Sequence, residues 1–199
     1  MKPVRSLPAQ VWSLTFAPNS ALLAYVDRTR NQGLFVWDLN RTAGPRCLAT
    51  SLALAIQAVS FTPAGRELVF LDSARSIVTV DVASGTQTAS FSVIEAGKRR
   101  PWGAEDCLSL SPDGATLALM SLSNLEVDLW DARTGRRLYT LPGQHGTIWW
   151  LAWSPDSRRL AVSRANGDTD VWNLHEVQHV LAGLGLNGGE PEPAQAKAE

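Results

Sequence analysis

The chain has 199 residues, 45% hydrophobic and 19% charged, with 15 Gly and 11 Pro, a balance that excludes disordered and collagen-like classes and allows one sizeable core. Its 18 Lys and Arg stand against 19 Asp and Glu, and a net charge of -1 argues against the broad basic surface that grips a phosphate backbone. No apolar run approaches the roughly 20 residues that span a bilayer, and no signal-like apolar segment follows Met1-Lys2-Pro3-Val4-Arg5. A soluble, cytoplasmic chain is expected, with neither nucleic-acid nor membrane partners. Cys47 and Cys107 each lie in or beside an apolar stretch, so two buried thiols are expected rather than a bridge.

In chain order, one unit recurs. The turn-like tetrads Ala17-Pro18-Asn19-Ser20, Thr62-Pro63-Ala64-Gly65, Ser111-Pro112-Asp113-Gly114 and Ser154-Pro155-Asp156-Ser157 start 45, 49 and 43 residues apart. A second series, Trp37-Asp38, Val80-Asp81, Trp130-Asp131 and Trp172-Asn173, keeps the same beat at 43, 50 and 42 residues. Before each tetrad the apolar residues alternate, as in Trp12, Leu14 and Phe16 or Trp149, Leu151 and Trp153, the period of a strand with one buried face. Each tetrad supplies a tight turn, and an apolar step such as Leu117-Ala118-Leu119 begins a second strand. Asn31, Asn124 and Asn166 stand six residues before the Trp of the third strand, with Ala74 at that place in the second unit; Asn tolerates the left-handed turn conformation, and Asn166-Gly167 is a hairpin signal. A fourth strand follows a short turn, as at Thr134-Gly135. Four short antiparallel strands per unit make a propeller blade, so the expected class is an all-β propeller of four-stranded blades.

The run Ser111-Pro112-Asp113-Gly114, Leu117-Ala118, Leu129-Trp130-Asp131, Thr134-Gly135 and Leu141-Pro142-Gly143-Gln144-His145 resembles a WD40 repeat. The resemblance covers roughly residues 9 to 175 and implies blades at 9–52, 53–97, 98–142 and 143–174, with 1–8 as a strand of a neighbouring or closing blade. Trp37, Asp38, Asp81, Trp130, Asp131, His145, Trp153 and Trp172 are then structural repeat residues, His145 locking its blade. Val80 and Ala74 depart from the pattern, and His145 alone stands as the repeat His, so the family's polar network is expected to be incomplete.

Rings of WD-repeat type most often close with seven blades, about 294 residues at roughly 42 each. Three completions follow: a piece of a longer array, which is favoured, two chains pairing into one ring, or a small closed ring. The fourth unit has no clear fourth strand, and Leu174, Val177, Leu181 and Leu184 at helical spacing predict a short helix over 175–186, followed by a disordered tail at 187–199. This ending resembles the C-terminal edge of WD-repeat regions in large bacterial regulators, some of which carry a serine/threonine kinase domain upstream.

His175-Glu176-Val177-Gln178-His179 matches the H-E-x-x-H zinc motif literally, yet Ala182-Gly183 breaks the extended form and no third ligand stands on an ordered element. No nucleophile elbow, phosphate loop or dinucleotide fingerprint is present, and the chain is expected to be non-catalytic, with no cofactor and no metal. Lys98-Arg99-Arg100-Pro101-Trp102 reads first as a solvated loop. Trp12, Gln57, Asp106 and Trp149 hold equivalent first-strand positions where family blades approach the channel rim. Trp149 and Trp150 are read either as interblade core or as binding anchors, since aromatic side chains bury large area at small entropic cost. The expected role is a rigid scaffold for a protein or peptide, with Trp12, Arg100, Trp102, Asp106 and Trp149 as the contact set and self-association as one way to complete the ring; the alternative is a regulatory module of a larger signalling protein.

Overall fold

The computed structural model describes residues 11–18, 20–27, 33–50, 56, 58–72, 74–93, 107–143 and 146–184, with only the backbone of Trp12 and Thr50. The strand expected at 1–8, His145, Asn31 and the tail at 187–199 lie outside the described residues.

The Pro tetrads fold into turns whose side chains close on their own backbone. Ser111 Oγ donates to Asp113 Oδ1 at 2.6 Å and accepts from Thr116 N at 2.9 Å, while Ala115 N donates to Asp113 Oδ1. The fourth-unit turn repeats this, Ser154 Oγ donating to Asp156 Oδ1 at 2.6 Å and accepting from Arg159 N. Asp156 is held below the usual carboxylate range, first by that hydroxyl and then by Arg158 N. The fourth tetrad position turns left-handed in three units, at Gly65, Gly114 and Ser157.

Each turn joins a first strand to a second. The first unit contains β1 (Val11–Phe16), β2 (Leu22–Asp27), β3 (Gly33–Asp38) and β4 (Arg46–Thr50), in sheet order β1-β2-β3-β4. The second contains β5 (Ala58–Phe61), β6 (Glu67–Leu71), β7 (Ser76–Asp81) and β8 (Gln87–Ser92), again in sequence order. The third contains β9 (Leu108–Leu110), β10 (Thr116–Met120), β11 (Val127–Asp131) and β12 (Arg137–Leu141), and the fourth β13 (Ile148–Trp153), β14 (Arg159–Arg164) and β15 (Thr169–Asn173). Within the sheets, neighbouring strands among β1–β8 and β10–β15 pair antiparallel. Among the described residues these are propeller blades, three of four strands and one of three.

The chain divides into two compact units, Met1–Leu110 and Ser111–Glu199. In the first, blades one and two meet face to face: Ala24, Val26, Leu34 and Val36 share a core with Val59, Phe61, Leu68, Phe70, Val78 and Val80. These side chains are there because alternation brings every second residue to the facing layer, where stacked sheets bury them together. In the second unit Leu151, Leu160 and Val162 are buried along one face of the fourth sheet.

The hairpin between second and third strands places its left-handed residue four beyond the end of strand pairing in three blades: Arg75 (φ 56°), Asn124 (φ 60°) and Gly167 (φ 91°). Counted back from the Trp position, the sequence instead points to Ala74, Asn124 and Asn166. The difference is one extra residue in the third blade, where Ser121 N bonds Glu126 O, whereas Asp72 N bonds Ser76 O and Arg164 N bonds Asp168 O. Leu125 is that extra residue.

After β15 the helix α1 (Leu174–Gly183) begins on Asn173, whose side chain accepts from Glu176 N at 3.4 Å. Leu174 is buried, α1 lies beside β14 and β15, and Gln178 hydrogen-bonds Tyr139 on β12. Burial pushes the Tyr139 hydroxyl above its ordinary value, and the Gln178 bond opposes the rise. Cys47 is exposed on β4 and Cys107 half-buried, with no disulfide between them, so the burial expected of the pair is corrected. The cause is β4 itself, an outer strand with exposed positions.

Candidate functional site

The residues at the Trp-Asp beat sit at the ends of third strands, where each carboxylate turns back onto the next turn. Asp131 Oδ1 accepts from Thr134 N at 2.7 Å and Arg133 N at 3.0 Å. Asp81 Oδ1 accepts from Ser84 N and Ser84 Oγ at 2.7 and 2.8 Å, and Asp38 Oδ1 from Asn40 N at 3.0 Å. The Thr134 amide is the main reason that the Asp131 carboxyl is held below the usual carboxylate range, and the Ser84 amide does the same for Asp81. Trp37 and Trp130 are buried, Trp37 donating Nε1 to Ala43 O at 3.2 Å, and Trp153 and Trp172 are half-buried.

A carboxyl whose pKa is lowered by folding stabilises the fold above its unfolded pKa, and the contribution is lost as pH falls through the folded value. Asp131→Asn keeps an oxygen acceptor but no charge. It is expected to cost about 1 kcal/mol at about pH 7, with the gap to wild type closing toward about pH 2, as read by urea unfolding at both.

Trp149 and Trp150 are 68% and 67% exposed on β13. Strict alternation forbids two neighbours on one face, and a bulge is what places both side chains outside. Ile148 pairs with Arg164 and Trp150 with Ser163, which leaves Trp149 as the extra residue. Ile148 and Leu151 are thus buried, while Trp149, Trp150 and Ala152 are exposed. Trp12 occupies the same bulged position on β1, where Val11 pairs with Asp27 and Ser13 with Val26. Arg100, Trp102, Asp106 and Gln57 lie outside the described residues.

Trp150 shares its sheet face with Ala152, Ala161, Ser163, Thr169 and Val171, the last 64% exposed. Its equivalents in blade one, Ala24 and Val36, are buried in the core with blade two. The converse holds at β1. Leu14 and Phe16, both 58% exposed, share a face with Leu23, Tyr25, Phe35 and Trp37, and the Tyr25 and Phe35 rings stack at 5.4 Å. The corresponding Val59 and Phe61 of blade two are buried. The burial expected of the Leu14 and Phe16 face is therefore corrected: alternation marks the apolar face, but a neighbouring blade is needed to cover it.

His175, Glu176 and His179 are exposed on α1, and among the described residues no three His, Cys, Asp or Glu side chains gather as a metal site. Sequence reasoning missed Arg164, whose side chain is 3% exposed; its Nε bonds Asp170 Oδ2 at 2.7 Å, and its Nη1 donates to Leu125 O and Gly146 O, both at 3.1 Å. An arginine at a strand end carries no signal of burial, so nothing in the spacing could have found it. A cleft of about 810 Å³ between the turns of blades one and two was missed as well.

Residues 135–173 match the family described as WD domain, G-beta repeat. The chain is 31% identical over 74 residues to the Periodic tryptophan protein 2 homolog of Dictyostelium discoideum, covering 37% of this chain and 8% of that protein. It is 38% identical over 63 residues to the WD repeat-containing protein SL1-17 of Schistosoma mansoni, covering 32% and 21%, and 29% identical over 73 residues to WD repeat-containing protein 1 of Bos taurus, covering 35% and 12%. It therefore spans between 8% and 21% of the length of these relatives. Among solved structures, that of U3-55K aligns with a TM-score of 0.53 at 26% identity, covering 66% of this chain and 39% of that one. Residues 135–173 thus match a WD repeat and lie within a series of propeller-type blades.

Proposed function

We propose that the chain is a non-catalytic WD-repeat scaffold that presents a rigid surface to a protein or peptide partner. The observation that carries this reading is the exposed pair Trp149 and Trp150, displayed by a bulge on a strand whose other face is buried. Aromatic anchors on a preformed strand bury large area while little ordering entropy is lost on docking. Trp12, Arg100, Trp102 and Asp106 complete the proposed contact set. The relatives named WD repeat-containing proteins support the repeat class and leave the partner to be identified.

The test is affinity capture from the source organism with wild type and the double variant Trp149→Ala/Trp150→Ala. Retention of at least one partner is expected to fall about tenfold or more, with circular dichroism unchanged. Equal retention by both proteins would remove this face from the reading.

A second reading, a module of a larger signalling protein such as a bacterial regulatory kinase, gains support at its coarse level from length. The relatives are far longer than the matched segments, and the faces of Leu14 with Phe16 and of Trp150 with Val171 are uncovered. The relatives named above are eukaryotic, so the bacterial kinase rests on sequence resemblance alone.

A further inference from the structure

The cleft between blades one and two lies wholly within the first unit and has two kinds of wall. Its apolar part comes from Leu22, Val36 and Val82, and its rim from the turns at residues 38–46 and 81–83 and from Gly65 and Arg66. At about 810 Å³ it falls in the size range of sites that take a ligand, roughly 300–1,000 Å³. Ala43, Gly44, Gly65 and Ala83 contribute little side chain, so a second backbone can approach the walls closely.

The charges at the rim are unequally committed. Asp38 takes Asn40 N on Oδ1 and Arg41 Nε on Oδ2 at 3.1 Å, and Asp81 takes the Ser84 amide and hydroxyl. Both carboxylates are thus turned into their own loops. Arg46 reaches from β4 to donate to Val82 O in the neighbouring blade. Arg66 uses its backbone carbonyl for Val82 N at 2.8 Å, but among the described residues its guanidinium has no hydrogen bond or ion pair. Three arginines against two satisfied aspartates leave one uncommitted planar cation beside an apolar floor.

We propose that this cleft binds an acidic peptide segment carrying aliphatic side chains, with the aliphatic group over Leu22, Val36 and Val82 and a carboxylate on Arg66. Arginine suits this role because its fork meets a carboxylate through two parallel bonds. The site is distinct from the Trp149 and Trp150 surface and does not depend on it.

A fluorescently labelled pentapeptide of alternating glutamate and leucine, with blocked ends, tests the proposal by anisotropy on the full chain. A peptide of alternating lysine and leucine serves as control. Two variants separate charge from shape. Arg66→Glu reverses the uncommitted cation, and Gly44→Leu enlarges the wall at a position where an added Cβ meets nothing within 4 Å and φ is not left-handed. Saturable binding of the acidic peptide is expected, weakened about tenfold or more by either variant and by raised salt. No saturable binding at about millimolar peptide, equal binding of the lysine peptide, or binding that either variant leaves unchanged while the fold is retained would each overturn it.

Discussion

Arg164→Met is expected to lower the stability of the second unit by about 3 kcal/mol, the low end of the range for removing one partner of a buried ion pair. The low end applies because Asp170 is 36% exposed and recovers solvent, whereas the Arg164 side chain is 3% exposed. The methionine fills the aliphatic space but strands the Leu125 and Gly146 carbonyls, each of which accepts from Arg164 at 3.1 Å. On thermal unfolding of a unit of this size the loss reads as roughly 12–24 °C. Asp170→Asn should cost less, about 1 kcal/mol, since a neutral oxygen still accepts from Nε. Equal losses from the two variants would place the energy in the ion pair and take it away from the carbonyl contacts.

Gly143→Ala is expected to destabilise by about 2–3 kcal/mol, through overpacking against backbone. A Cβ at Gly143 would lie 1.8 Å from Leu125 O and 2.5 Å from its carbonyl carbon, so the β10–β11 hairpin tip must move. That same carbonyl accepts from Arg164, and Asn124 O in the same turn accepts from Ile148 N at 2.9 Å. The two substitutions therefore act on one structural element. The Gly143→Ala/Arg164→Met double variant should lose clearly less than the sum of the singles, as urea unfolding reads. Strict additivity would separate the hairpin tip from the arginine.

How far this geometry can be read in the sequence depends on whether it is local. The two repeat series differ by one residue across the third blade, 49 against 50, and again beyond it, 43 against 42. That mismatch is Leu125, the extra hairpin residue, so the insertion is visible even where its contacts are not. The Pro tetrads and strand-end aspartates are equally legible, because each closes on backbone two to five residues away. The three-stranded fourth sheet followed by a helix also shows in the pattern, as alternation gives way to helical spacing at Leu174.

What spacing could not give lies across blades or within a bulge. Parity placed Trp149 with Leu151 and Trp153, and a single extra residue in β13 moved it to the exposed side. The exposure of Leu14 and Phe16 depends on whether a neighbouring sheet covers that face. Arg164 and Arg66 look alike in sequence, yet one is enclosed with three acceptors and the other stands at a cleft, its guanidinium without a bond among the described residues. Such differences come from residues far apart in the chain, which periodicity does not encode.

A recognition surface at Trp149 and Trp150 is tested most directly by photocrosslinking from position 150, with benzoylphenylalanine replacing Trp150, in extract of the source organism. Asp156, exposed in a turn of the same blade, provides the control position. Discrete protein adducts from position 150 that are absent from position 156 are the expected result. Identical adducts from both positions, or none from either, would contradict a binding role for this face.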